Sequence, residues 1–82
     1  MTVQQAHNKL KQMYDEKHKV NKIFDFGDSY AFLFIAPDGG GLGDSTYDVI
    51  NKKTGEVTML PMFNNINKFK NSTPINISEI KQ

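Results

Sequence analysis

The fold of this chain is decided by the stretch Lys19-Val-Asn-Lys-Ile-Phe-Asp-Phe26, Gly27-Asp28, Ser29-Tyr-Ala-Phe-Leu-Phe-Ile-Ala36. Two runs rich in β-branched and aromatic residues flank a two-residue turn, which is a strong signal for a β-hairpin. Glycine at the first turn position suits a II′ or I′ turn because it accepts a positive φ. The sequence therefore predicts strands over about 19–26 and 29–36.

The second strand of this hairpin is apolar on both of its faces. Side chains alternate along a strand, so each face receives its own set. The two sets are Tyr30, Phe32 and Phe34 on one side and Ala31, Leu33 and Ile35 on the other. A strand of this kind is expected in the centre of a sheet, with both faces covered.

An amphipathic helix is predicted before the hairpin, over residues 2–18. Apolar side chains recur at i, i+3, i+4 and i+7 from Val3 to Tyr14, and polar residues occupy the other side. Thr2 followed by Gln5 has the spacing of a capping box. We expect the apolar stripe of this helix to pack on one face of the sheet rather than on a membrane or a partner.

A second hairpin is predicted from strands at about 45–51 and 56–60. Gly55 stands where a type I turn ends in a residue with positive φ and a G1 bulge. Pro61 should end the last strand, since proline cannot donate to the ladder. The remaining segment, 61–82, contains a turn and a short amphipathic stretch.

These elements make one α+β domain over residues 1–82. The predicted architecture is an N-terminal amphipathic helix packed on a four-stranded antiparallel β-meander, with a short C-terminal helical or extended segment. Within that segment Phe69 belongs to the amphipathic stretch, and residues 74–77 alternate like a short edge strand.

The charge and cysteine content narrow the class of partner. The net charge is +1, and all ten basic residues are lysines. Arginine is the usual side chain for bidentate phosphate and base contacts, so its absence argues against nucleic acid. The longest apolar run, Tyr30 to Ala36, is too short to cross a bilayer. The chain has no cysteine and its first residues do not resemble an export signal. We therefore expect a cytoplasmic protein that binds neither nucleic acid nor membrane.

The candidate catalytic and metal-binding residues form no recognisable site. His7 lies on the apolar stripe of the helix and is interpreted as a core-boundary residue. His18 would lie about 16 Å from it on an ideal helix, too far to share a metal. Asp25 and Asp28 flank the first turn closely enough to be a carboxylate pair, but turn chemistry explains Asp28, and no apolar surroundings are expected there to raise a carboxyl pKa. We expect no catalytic residue, no cofactor and no metal site.

The glycine-rich stretch from Pro37 to Asp44 suggests two kinds of binding site, a phosphate-binding loop and a calcium-binding loop. A phosphate loop normally opens a helix and carries a lysine, whereas here a strand is expected to follow. Asp38 and Asp44 are therefore interpreted as solvated turn residues in a mobile, dispensable loop.

The predicted helix 2–18, the segment Val20 to Tyr30 and the turn Tyr47-Asp-Val-Ile-Asn-Lys-Lys-Thr-Gly-Glu-Val57 together resemble a PepSY-type domain. In that family a helix precedes a short meander whose last turn reads roughly Asp-x-x-Thr-Gly-Glu-Val. The chain is similar, more loosely, to small immunity proteins of bacterial toxin systems and to uncharacterised phage proteins. The PepSY resemblance covers about residues 3–60 and implies peptidase inhibition, with no catalytic residues to carry over.

The leading functional hypothesis is a small, non-enzymatic, cytoplasmic protein–protein interaction module, encoded by a phage or a mobile element of a low-GC bacterium. The alternative is a PepSY-like or immunity-type inhibitor of a specific peptidase or toxin. One helix covers one face of a sheet, so the other face requires the C-terminal segment or a second copy. We expect a homodimer, and the expected interface residues are Tyr30, Phe32, Phe34, Met62, Phe63 and Phe69.

Overall fold

A computed structural model of the chain describes residues 1–37 and 46–82. The elements, in chain order, are α1 Val3–Lys11, β1 Lys19–Asp25, β2 Ser29–Ile35, β3 Thr46–Asn51, β4 Val57–Pro61, α2 Ile66–Lys70, β5 Thr73–Ile75 and a 3₁₀ turn at Ile77–Glu79. The predicted loop with Asp38 and Asp44 lies outside the described residues.

The strands form one antiparallel sheet in the order β4-β3-β2-β1-β5. The predicted α+β class is confirmed, but the sheet has five strands instead of four. The extra strand, β5, comes from the C-terminal segment and pairs Ile75 with Ile23 of β1. Pro74 can occupy the middle of β5 because an edge strand leaves one side without ladder partners.

The central position of β2 confirms the prediction drawn from its two apolar faces. Phe32 is fully buried on the face covered by α1. Ala31 and Leu33 are buried on the opposite face. The side chains around Phe32 are Ala6, Leu10, Val20, Ile23, Ile50 and Ile80. On the opposite face a second core is formed by Ala31, Leu33, Tyr47, Val49 and Phe69.

The opposite face is covered from within the chain. The ring of Phe69 in α2 is 3% exposed and packs 4.5 Å from Tyr47, 5.1 Å from Phe26 and 5.4 Å from Phe24 between ring centroids. The cover is the C-terminal segment, which is one of the two alternatives expected for this face; the other was a second copy of the chain. No second copy is needed to bury the second core.

Both predicted turns contain glycine in the left-handed region. Gly27 has φ 97° and Gly55 has φ 73°. At the second turn the N–H of Gly55 donates to the carbonyl of Asn51, while the N–H of Asn51 donates to Glu56, both at 2.9 Å. This exchange is the hydrogen-bond pattern of a G1 bulge, as the sequence predicted.

The predicted helix over 2–18 is wrong in its second half, because α1 ends at Lys11. The capping box of Thr2 and Gln5 is present. Beyond α1 the chain turns so that the hydroxyl of Tyr14 donates to Asp48, and its ring stacks on Phe34 at 4.5 Å. Because Tyr14 makes these contacts with the sheet, the helix does not continue to residue 18 as the local periodicity indicated.

The strand β1 contains a bulge that the sequence analysis did not anticipate. The pairing with β2 shifts by one residue between Val20 and Lys22. The extra residue places Val20 and Ile23 on the same face despite their odd spacing, and both are buried in the core under α1. Beside the bulge, the side-chain amide of Gln82 accepts from the N–H of Val20 at 2.6 Å and donates to its carbonyl at 3.3 Å.

Candidate interaction surface

Two histidines lie at a surface groove of about 550 Å³ between the end of α1 and the start of β1. His7 is buried, and its ring is nearly parallel to that of Phe34 at 6.1 Å. Burial lowers the pKa of His7, and the charges of Lys11 and Lys19 lower it further. The His7 ring is therefore neutral at pH 7, in keeping with its interpretation as a core-boundary residue.

The second histidine, His18, is held by its neighbours in the turn after α1. Its Nδ1 lies 2.9 Å from Oδ1 of Asp15, and its ring packs 5.1 Å from Tyr14. The hydrogen bond to His18 lowers the pKa of Asp15. Throughout residues 1–37 and 46–82, no three histidine or acidic side chains come together to hold a metal.

A buried carboxylate lies behind this groove, on the α1 side of β3. Asp48 is 3% exposed, and burial raises its pKa, while the hydrogen bond from Tyr14 lowers it. Burial and the same bond raise the pKa of the Tyr14 phenol. Sequence reasoning missed this pair; the only local signal was an aspartate in the otherwise apolar run Tyr47 to Ile50.

The turn carboxylates have structural partners. Asp25 accepts from Lys52 Nζ at 2.8 Å and from the N–H of Gly27 at 2.8 Å. The bond from Lys52 lowers the pKa of Asp25. Asp28 accepts from the hydroxyl of Ser29 at 3.0 Å. The bond from Lys52 joins the first turn to the end of β3, and the other two bonds lie within the turn.

The strand β4 is the end strand of the sheet, so among the described residues its outer edge has no neighbouring strand. Residues of an antiparallel strand point their N–H and C=O groups alternately to one neighbour and to the other. The bond from Asn51 to Glu56 fixes the phase of this alternation, and the β3–β4 register continues without a shift. Val57 and Met59 therefore direct their N–H and C=O groups away from β3.

The outward row of groups ends at Pro61. Proline has no N–H, and the Pro61 carbonyl already accepts from Nδ2 of Asn65 at 2.8 Å. No described residue forms a strand beside Val57 and Met59. Among the described residues, the part of the edge without a neighbouring strand is thus Val57 and Met59, each with a complete donor and acceptor pair.

One side chain of this edge strand, that of Met59, is both apolar and strongly exposed. Met59 is 68% exposed, and on the segment after β4 Phe63 is 71% and Ile66 57% exposed. The strand Val57–Pro61 carries no charge. Proteins usually protect edge strands with lysine, proline or a covering segment, and among the described residues the part of this edge from Val57 to Met59 has none of these.

The opposite edge of the sheet is protected. The strand β5 has three residues with Pro74 in the middle, and Gln82 occupies the N–H and carbonyl of Val20 next to it. The two edges therefore differ in their capacity to accept another strand.

The six residues expected at an interface are divided by the sheet. Tyr30, Phe32 and Phe34 lie on the α1 face, whereas Met62 and Phe69 belong to the second core. Phe32 and Phe69 are buried within the chain. Phe63 is the one member of the set with an exposed side chain.

No family model, curated protein or solved structure shows a match to this chain. Among the described residues there is no helix of the length and apolar character that crossing a membrane requires.

Proposed function

We propose that this chain is a non-enzymatic protein–protein interaction module that binds an extended segment of its partner along the outer edge of β4. The observation that carries the proposal is the set of outward N–H and C=O groups on Val57 and Met59, together with the exposed apolar side chain of Met59. Addition of a strand to an open sheet edge gains affinity from main-chain bonds and specificity from alternate side chains.

The surrounding residues favour a protein partner over other ligands. The groups offered by the edge are peptide groups, whose natural complement is another backbone. Met59 lies on the strand, and Phe63 on the following segment supplies further apolar surface. The chain has no arginine and no cysteine, which suits a protein partner in a reducing compartment such as the cytoplasm.

The proposal is tested by affinity capture from the source cells with three baits: wild type, Met59→Lys and Met13→Lys. Met13 is 58% exposed in the turn after α1, so its replacement adds the same charge to an element other than β4. A specific partner, identified by mass spectrometry and purified, should bind wild type and Met13→Lys but not Met59→Lys. Equal binding to all three baits would contradict an edge-mediated contact.

Hydrogen exchange then locates the contact. Binding of the purified partner should slow exchange at the amides of Val57 and Met59, which have no partner within the sheet, and leave that of Thr58, which already bonds to β3, less changed. If the partner is a peptidase or a toxin whose activity falls on binding, the module acts as an inhibitor, the alternative function proposed from the PepSY-like and immunity-type resemblance.

A further inference from the structure

We infer that the strand accepted by β4 is β4 of a second copy of this chain, paired antiparallel about a two-fold axis that passes through Thr58. The inference rests on the proposed function, because it names the partner of the same edge. It joins two five-stranded sheets into one continuous sheet of ten strands, which is within the size range of open sheets.

The hydrogen bonds of the edge favour this register. With Thr58 on the axis, Val57 lies opposite Met59 of the second copy, and Met59 lies opposite its Val57. Each of these pairs exchanges two N–H···O=C bonds. All outward donors and acceptors of Val57 and Met59 are then satisfied on both copies, and neither Pro61 nor any group already bonded within the chain is used.

Neighbouring registers satisfy fewer of these groups. With Met59 on the axis, Val57 would face Pro61 of the second copy, which has no N–H to give to the Val57 carbonyl. With Val57 on the axis, Met59 would face Gly55, whose N–H donates to Asn51 and whose carbonyl accepts from Lys9 Nζ at 3.0 Å. The edge is therefore self-complementary in one arrangement.

The side chains agree with the same register. Thr58 faces Thr58 of the second copy, a favourable cross-strand pair, and Val57 faces the exposed Met59 on the α1 side of the sheet. Glu56 falls opposite Leu60 of the second copy, so no like charges oppose one another. A net charge of +1 per chain leaves little long-range repulsion between copies.

Single-cysteine variants test the axis, because the natural chain contains no cysteine. Residues on the axis form a non-hydrogen-bonded pair with Cα atoms about 4.5 Å apart, a separation that a disulfide can bridge. Thr58→Cys should form a covalent dimer in mild oxidant, whereas Thr54→Cys, exposed on the β3–β4 turn, and Met59→Cys should do so far more slowly. Faster linking of Met59→Cys than of Thr58→Cys would overturn the register.

Backbone chemistry tests the edge itself. Light scattering should give wild type twice the chain mass of 9.3 kDa. Met59→Pro removes an N–H that no strand of the described residues uses and should halve the measured mass, while Met59→Leu keeps the N–H and should stay dimeric. Circular dichroism establishes that each variant is folded; if Met59→Pro is not, Met59→Lys replaces it, because its added charge opposes pairing from the side chain.

The results that would contradict self-pairing differ from those that would contradict the proposed function. A monomeric wild type with no cross-link through Thr58→Cys overturns the self-pairing. If another purified protein nevertheless protects the amides of Val57 and Met59 in that monomer, the edge-binding function stands with a different occupant. A dimer that persists in folded Met59→Pro and does not cross-link through Thr58→Cys also overturns the inference, since it must use another surface.

Discussion

The hydroxyl of Tyr14 donates a hydrogen bond to Oδ2 of Asp48, which lies 34 positions later in the chain. The bond joins the turn after α1 to the centre of β3. Asp48 is buried, so its carboxylate depends on this donor for part of the solvation that water would otherwise supply. Stacking of the Tyr14 ring on Phe34 holds the donor in place.

Replacing Tyr14 by phenylalanine should therefore lower the free energy of unfolding by about 1–3 kcal/mol at pH 7, because a buried acceptor loses its partner. Urea titration measures the change. Tyr30→Phe is the control, since the hydroxyl of Tyr30 makes no hydrogen bond within the described residues and its loss should cost under about 0.5 kcal/mol. Equal losses in the two variants would show that the Tyr14 bond has no special weight.

The same variant should show a pH dependence. The pKa of Asp48 is raised in the folded state, so the stability it contributes is complete below the unfolded pKa of 3.8 and is lost as pH rises through the folded value. Without the Tyr14 donor that folded pKa rises further. The difference between wild type and Tyr14→Phe should thus be smaller at pH 4 than at pH 7, and a difference that is constant with pH would contradict this account.

His7 should make the fold less stable in mild acid. Its folded pKa lies below the ordinary value of 6.5, so its contribution is present above pH 6.5 and is lost as pH falls through the folded pKa. His7→Phe should remove this loss. The measurement is the midpoint of urea unfolding for both proteins between pH 8 and pH 5. Any contribution of Asp48 to the pH dependence is common to both proteins, so the difference between them isolates His7.

Two phenylalanines of the C-terminal segment should behave oppositely on truncation. Phe69 is 3% exposed against three aromatic rings, whereas Phe63 is 71% exposed. Phe69→Ala should lower the free energy of unfolding by about 3–5 kcal/mol, a large part of the stability of a small domain. Phe63→Ala should change it by less than about 0.5 kcal/mol. Comparable losses would mean that α2 does not cover the second core.

Gly55 should resist substitution by alanine because of its φ of 73°. A Cβ would also stand 2.5 Å from Lys9 Nζ, which must then move from the Gly55 carbonyl. Gly55→Ala should cost about 1–2 kcal/mol in thermal or urea unfolding. Gly55→Asn carries a Cβ too, but asparagine adopts the left-handed region more readily, so it should cost less. An alanine variant as stable as wild type would contradict the need for this conformation.

The hairpins, the central place of β2 and its two covered faces could be predicted because their signals are local. Turn residues and period-two alternation lie within a few positions of each other. The end of α1 could not be predicted in this way. Its periodic stripe continues to Tyr14, but the partner that draws Tyr14 out of the helix, Asp48, belongs to a distant strand.

The bulge in β1 and the cover provided by α2 were missed or left open for the same reason. The alternation of Val20 and Ile23 is broken by one residue, and only pairing with β2 shows which residue is extra. Phe69 belongs to a predicted amphipathic stretch, yet nothing near it in sequence distinguishes a fold back onto the sheet from a contact with a second copy. The sequence likewise does not show that β4 is an end strand, because the strand order depends on contacts between distant residues.

The side-chain amide of Gln82 forms the two hydrogen bonds with Val20 that a neighbouring strand would form, and this limits the number of copies that one assembly can contain. A sheet with two receptive ends can add copies indefinitely and polymerise. Here one end is occupied by Gln82 and by a three-residue strand with Pro74 at its centre. If copies pair through β4, as we infer, assembly should therefore stop at two chains.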